Sequence, residues 1–170
     1  MRGGTRSFYK RGMRILGIDP GYGRLGLAII DAEKGKKEIL IYSECFETSP
    51  KIAHAERLSL IQEKIKKIIE EFSPEMAGIE SLAFSKNKKT AIGVAEARGV
   101  ILSEIAGKKI KITEHNPGQI KIAVTGHGKS DKTQVRKMVE IIIGRKFGAV
   151  RDDECDAVAV ALTSAATNRF

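Results

Sequence analysis

Four carboxylates stand where a folded chain could gather them: Asp19, Glu80, Asp153 and Asp156. Asp19 closes the short apolar run RILGID and Glu80 closes MAGIE, while Asp153 and Asp156 lie three apart at the start of a C-terminal helical stretch and so share one helical face. Grouped carboxylates repel one another unless cations sit between them. Oxygen ligands with no His or Cys cage favour magnesium, with manganese as a substitute. Two such ions about 4 Å apart activate water and stabilise the leaving oxygen in phosphodiester hydrolysis. Each acid also has a structural alternative: Asp153 and Asp156 as N-terminal charges that favour a helix dipole, Asp19 before Pro20 and Gly21 as a turn former. Glu80 is harder to assign that way, because a carboxylate at the end of an apolar strand needs a partner.

The elements that must position these acids follow from periodicity. RILGID (14–19) and LGLAIID (25–31) flank the turn PGYGR and read as a hairpin. KEILIYSECFET (37–48) suits a third antiparallel strand. Leu58, Ile61, Ile65, Ile68 and Phe72 fall at steps of three and four, one stripe of a helix over 55–72 that Ser73 and Pro74 end. MAGIE is a fourth, buried strand. A helix is expected over 90–106, closed by Gly107, and KIKIT (109–113) is a fifth strand. HNPGQIKIAVTGHGKS reads as a Gly-punctuated stretch with one helical turn. Asp131 and Gln134 form a capping box for the helix carrying Val135, Met138, Val139 and Ile142, and a last helix spans 153–167. The outline is a single α/β domain over 13–170, a mixed five-stranded sheet with three antiparallel strands first, flanked by helices. Residues 1–12, basic and Gly-rich, read as a flexible arm.

Composition narrows the partners. A net charge of +9 suits a polyanion such as nucleic acid or an anionic surface. No apolar run approaches the ~20 residues that cross a bilayer, and no secretory leader is visible, so a cytoplasmic protein is expected. Cys45 and Cys155 lack metal or disulfide spacing and read as structural thiols, and His54, His115 and His127 show no metal pattern.

GIDPGYGRLGLAII, GIESLAFSKNKKTAIGVAEARG, PGQIKIAVTGHGKSDKTQVRKMV and DDECDAVAVALTSA, in that order, closely resemble the bacterial RuvC family of Holliday junction resolvases over residues 13–166. The resemblance implies an RNase H-like fold and a homodimer that makes paired nicks in opposing strands of a four-way DNA junction. It also implies two magnesium ions per site and partnership with the RuvA and RuvB branch-migration complex. The family's acidic set falls on Asp19, Glu80, Asp153 and Asp156; at the third of these the family accepts aspartate or histidine. Two family lysines near the scissile phosphate fall on Lys121 and Lys132. Lys129 and Arg136 add basic density beside them, and Lys86 and Lys88 add a second group near Glu80. Where relatives carry a bulky pair that includes a junction-stacking aromatic, this chain has Ala83 and Phe84, so Phe84 is the candidate for stacking on a base or for core packing.

Two other readings compete. An RNase H-like nuclease of the ribosomal RNA maturation type would keep the fold and change the substrate, but KSDKTQ and DDECD favour RuvC. GIDPGYG also resembles the phosphate loop of actin-like ATPases, whose two large lobes do not fit in 170 residues. For a dimer, the small residues at positions 91, 93, 95, 97 and 99 make the helix over 90–106 the candidate interface, though the same feature equally suits packing against the sheet.

Overall fold

The computed structural model describes residues 12–82, 88–148 and 152–168, with the backbone alone for 88–90. In chain order the elements are β1 (Met13–Asp19), β2 (Arg24–Ala32), β3 (Ile39–Glu47), α1 (His54–Phe72), β4 (Met76–Glu80), α2 (Lys88–Gly107), β5 (Lys111–His115), α3 (Pro117–Thr125), α4 (Lys132–Ile143) and α5 (Asp152–Thr167). The sheet order is β3-β2-β1-β4-β5. β1 pairs antiparallel with β2, and β2 with β3; β4 runs parallel to β1, and β5 to β4. The expected mixed sheet is therefore present.

Strand period two divides the sheet into two faces. Leu16, Ile18, Leu25, Leu27, Ile29, Ala77 and Ile79 point to α1 and α2, where Ile61, Ile65, Ile68, Ala97, Ile101 and Ile105 complete one core. Ile15, Ala28, Ile30 and Met76 point the other way, to α3, α4 and α5. Counting by twos from Ile15 through Gly17 reaches Asp19, and from Met76 through Gly78 reaches Glu80. The two acids thus share the α5 face, at the ends of neighbouring parallel strands whose register pairs Ile18 with Ile79.

α5 lies close against that face because the strands leave room for its backbone. A Cβ on Gly17 would stand 2.2 Å from the Ala157 carbonyl oxygen, and one on Gly26 would stand 2.1 Å from that of Asp153. The helix itself is Ala- and Val-rich and buried from Ala157 through Ala165, as expected of a helix apolar on every side.

Three details differ from the sequence reading. α3 is a full nine-residue helix rather than one turn; Asn116 and Gln119 form a reciprocal capping box with Pro117 at the first helical position. β5 begins at Lys111, two residues later than expected. The reason is that Gly107 stays helical and the left-handed turn falls instead at Lys109 (φ 57°), with the Ile110 amide still bonded to Ile105. The small residues of α2 do not form one surface: Gly93 and Ala97 lie inward on the stripe that continues through Ile101 and Ile105, while Ala95 and Gly99 are exposed. Phe84 and Lys86 lie outside the described residues, as do the side chain of Lys88 and the arm up to residue 11.

His115 supplies a pH test of this packing. Ser164 donates to the Val160 carbonyl at 3.1 Å, which leaves its lone pairs to accept from His115 Nε2 at 2.8 Å. Burial holds the His115 pKa below its ordinary value, so the folded state keeps a neutral ring. As pH falls through about 6.5 the unfolded chain takes up this proton before the folded one, so stability from His115 is full above that pH and is lost below it. Urea unfolding of the protein and of His115→Gln between pH 5 and 8 checks this. The wild-type advantage should shrink on acidification, and a constant difference would contradict it.

Candidate active site

Asp19 and Glu80 come from the sheet, Asp153 and Asp156 from the first turns of the helix that crosses it. Asp19 and Glu80 lie close enough for each to shift the other's titration. Desolvation pushes Asp19 well above the usual carboxylate range, and the charges of Glu80, Asp156 and Asp153 push it the same way, with Lys132 opposing them. Glu80 is raised by desolvation and then by Asp156, and Asp156 is raised by desolvation against the pull of Lys132. Asp153 accepts from the Cys45 thiol at 3.6 Å. Burial and this aspartate push Cys45 up to about 11, so it stays a neutral thiol; Cys155 is also free and buried.

Lys132 and Lys121 join the acids. Lys132 Nζ lies 3.1 Å from Asp156 and 3.4 Å from Asp152, with its side chain 62 % exposed. Lys121, carried on α3, lines the same cleft of about 220 Å³ with Glu80, Lys132, Asp156, Ile120, Val135 and Ala159. The unforeseen helix α3 is thus what carries Lys121 to the acids. Lys129 is exposed in the turn between α3 and α4. Arg136 is turned toward protein acceptors, Asp152 and the Gly148 carbonyl among them. Asp152 was not singled out in the sequence, although its spacing of four from Asp156 places both on one helical face, where they share Lys132.

The turn after Asp19 is pinned by the opposite helical layer. The Arg57 guanidinium lies 3.7 Å from the Tyr22 ring centroid and donates to Thr48 Oγ1 at 3.0 Å and to the Tyr22 carbonyl at 3.2 Å. His54 bridges the Tyr22 hydroxyl (2.5 Å) and Glu96 (2.8 Å), which gives this histidine a structural place. The loop leaving Asp19 is therefore fastened to the start of α1 and to α2.

As their side chains stand, no three acidic, His or Cys residues among those described converge as ligands of one ion. Lys132 holds Asp156, and Asp19 and Glu80 are turned to each other. The donor chemistry nonetheless fits a hard divalent cation: four carboxylates, three of them raised by burial and by neighbouring acids, with Lys132 offsetting them in part. Ionising the group requires further positive charge, which a divalent ion supplies.

A five-stranded mixed sheet of this order, with acids at the ends of its two central parallel strands and on the crossing helix, defines an RNase H-like nuclease fold. Residues 15–164 match the family model described as crossover junction endodeoxyribonuclease RuvC. The chain belongs to the RuvC family of crossover junction endodeoxyribonucleases. The Finegoldia magna member is 44 % identical over 160 residues, covering 93 % of this chain and 96 % of its own. The Thermosipho melanesiensis member is 42 % identical over 158 residues, covering 93 % and 100 %. Thermus thermophilus RuvC, solved in complex with a Holliday junction substrate, superposes with a TM-score of 0.86 at 32 % identity, covering 92 % of this chain and 95 % of its own. The yeast mitochondrial Holliday junction resolvase Ydc2 shares the fold at 13 % identity and a TM-score of 0.69. These relatives favour the junction reading over the RNA one. No helix among the described residues is long and apolar enough to cross a membrane.

Proposed function

We propose that this chain resolves Holliday junctions, nicking two opposing strands of four-way DNA at symmetric positions by metal-assisted phosphodiester hydrolysis, in homologous recombination and DNA repair. One observation supports the site: Glu80 and Asp156 line one cleft with Lys121 and Lys132, and Asp19, within electrostatic reach of Glu80, Asp156, Asp153 and Lys132, stands beside it. In this reading the four acids are the catalytic, metal-holding residues. Two bound magnesium ions, with manganese able to substitute, supply the Lewis-acid charge and the lowered water pKa that phosphodiester hydrolysis requires.

The chain's own residues then divide the work. Asp19 and Glu80 ride on paired strands and keep a fixed separation, while Asp153 and Asp156 meet them from α5. Lys132, held by Asp156 and largely exposed, can turn to a phosphate oxygen. Lys121 approaches from the α3 side, so the two ammonium groups flank the scissile phosphate and offset charge that grows in the transition state. Lys129 anchors a neighbouring phosphate, with Lys86 and Lys88 as a second contact group and Phe84 as the base-stacking candidate. The nuclease domain is residues 13–170, preceded by the basic arm. A two-fold substrate is most simply met by two copies of one site, so the enzyme works as a homodimer in the cytoplasm, together with the RuvA–RuvB complex.

The test is incubation of the purified protein with a mobile four-way junction and magnesium, read on a denaturing gel. Paired nicks at symmetry-related positions are expected, and an intact junction alongside cleaved structured RNA would overturn this function. Lys132→Ala should lower the single-turnover rate at saturating junction by ~10²-fold while binding is largely kept. Weakened binding at an unchanged saturated rate would make Lys132 a simple phosphate anchor.

A further inference from the structure

We infer that Arg136 is a positioning residue, which fixes the first turn of α5 and with it Asp153 and Asp156, rather than one of the DNA contacts. This rests on the reading of the cleft as a metal-assisted nuclease site.

The observation is a two-rung ladder between α4 and α5. Lys132 and Arg136 are four apart on one helix, Asp152 and Asp156 four apart on the other, so each pair presents one face to its partner. On the inner rung Lys132 meets Asp156 at 3.1 Å and also Asp152 at 3.4 Å. On the outer rung Arg136 Nη1 meets Asp152 Oδ1 at 3.1 Å. Asp152 therefore bridges the two cations, one oxygen to each.

Arg136 is committed well beyond that rung. Its Nη2 donates to the Gly148 carbonyl at 2.9 Å and to the Phe147 carbonyl, and Nε approaches Glu140 Oε1 at 3.5 Å. Glu140 Oε1 in turn accepts from the Phe147 amide at 2.9 Å. A planar guanidinium carries five N–H donors in a fixed fork, and here that fork ties α4 to the chain both before and at the start of α5. Its side chain is 24 % exposed, against 62 % for Lys132. The two neighbouring cations thus differ in kind. Lys132 has donors to spare for a phosphate, and Arg136 has spent its fork on protein acceptors.

The arrangement has a mechanical use. When Lys132 leaves Asp156 for a phosphate oxygen, the inner rung opens, and the tie between α4 and the start of α5 then rests on the outer rung. The outer rung keeps α5 in register while the inner rung changes partners.

The experiment compares wild type with Arg136→Gln, Arg136→Lys, Asp152→Asn and the Arg136→Gln/Asp152→Asn pair on a synthetic four-way junction with magnesium. Because misplacement of about 1 Å is costly in a preorganised site, both Arg136 variants should lower the saturated single-turnover rate by roughly 10- to 100-fold. The junction Kd and its salt slope should stay unchanged. Lysine should not rescue, since one ammonium cannot replace a fork shared among two carbonyls and two carboxylates. The pair should lose no more than the worse single variant, as expected of residues acting through one contact. Without DNA or metal, backbone amides of residues 153–158 should exchange with deuterium faster in both Arg136 variants while those of β1 and β4 do not.

The positioning role is overturned if lysine restores activity while glutamine weakens binding and lowers the salt slope by about one, the behaviour of a phosphate anchor. It is also overturned by faster exchange throughout the sheet, which would indicate only general destabilisation. If wild type itself leaves the junction intact, the reading of the cleft falls and this role falls with it. If wild type cuts and the variants behave as anchors, only the role of Arg136 is wrong.

Discussion

Asparagine at Asp156 is expected to lower junction cleavage by roughly 10³-fold or more, with binding kept within about threefold because phosphate contacts elsewhere dominate affinity. The amide preserves shape and loses the charge a divalent ion needs. Asp19→Asn and Glu80→Gln should behave the same way, whereas Asp153 should be milder, with histidine there restoring more activity than asparagine does. A second readout separates loss of function from loss of fold. Asp19 has its pKa raised by desolvation and by the neighbouring acids, so its ionised form costs stability at neutral pH. Its folded pKa lies above the unfolded one, so the folded state prefers the proton and the penalty grows as pH rises past the unfolded value. Asp19→Asn should therefore unfold at a higher urea concentration than wild type at pH 7.5 while cutting nothing, the trade-off expected where charges are held together for function. Retained cleavage in any of the three would remove that residue from the core site.

Alanine at Gly26 should damage both stability and cleavage although it changes no charged group. Its Cβ would stand 2.1 Å from the Asp153 carbonyl oxygen and 3.1 Å from the Asp19 Cβ, between the two halves of the acidic cluster. Backbone has to give way, and overpacking of this kind costs about 1–3 kcal/mol. A shift of α5 away from β2 carries Asp153 and Asp156 with it and leaves Asp19 and Glu80 in place. Cleavage should fall by ~10²-fold or more, as for an ångström-scale misplacement, with junction binding preserved. Titration with magnesium should show a higher apparent requirement. A Gly26→Ala enzyme with wild-type rate and unfolding midpoint would mean that the helix seat is more yielding than this contact implies.

The sheet was legible because its signals are local. Two short apolar runs, 14–19 and 25–31, around the turn PGYGR specified the hairpin, whereas the shared face of Asp19 and Glu80 follows from the parallel register of β1 and β4. The stripe of α1 and the Asp131–Gln134 capping box also needed no tertiary information. α3 was read as a single turn because Gly118, Gly126 and Gly128 read as breakers, whereas the reciprocal bonds of Asn116 and Gln119 start a helix despite them. Those two residues have capping-box spacing, so that signal was present. β5 slipped by two because a lysine, not the glycine before it, adopts the left-handed turn, and nothing in a lysine announces this. The acids were singled out from position and family resemblance, but the place of Arg136 was not. Density of basic residues suggests DNA; only the carbonyls of Phe147 and Gly148 and the carboxylate of Asp152, remote in sequence, reveal where its donors go.

The route of the chain through its sheet also orders events during synthesis. β1, β2 and β3 pair with their sequence neighbours and can meet early, while β4 must come back beside β1 and α5 must wait for nearly the whole chain to emerge. α5 supplies more of one core than any other element, and until it docks the face carrying Ile15, Ala28, Ile30 and Met76 is bare. The same docking event that buries that face delivers Asp153 and Asp156 to Asp19 and Glu80. A chain released early would lack both the helix that stabilises the sheet and half of its acids, so for this enzyme becoming fully folded and becoming able to cut DNA are one step.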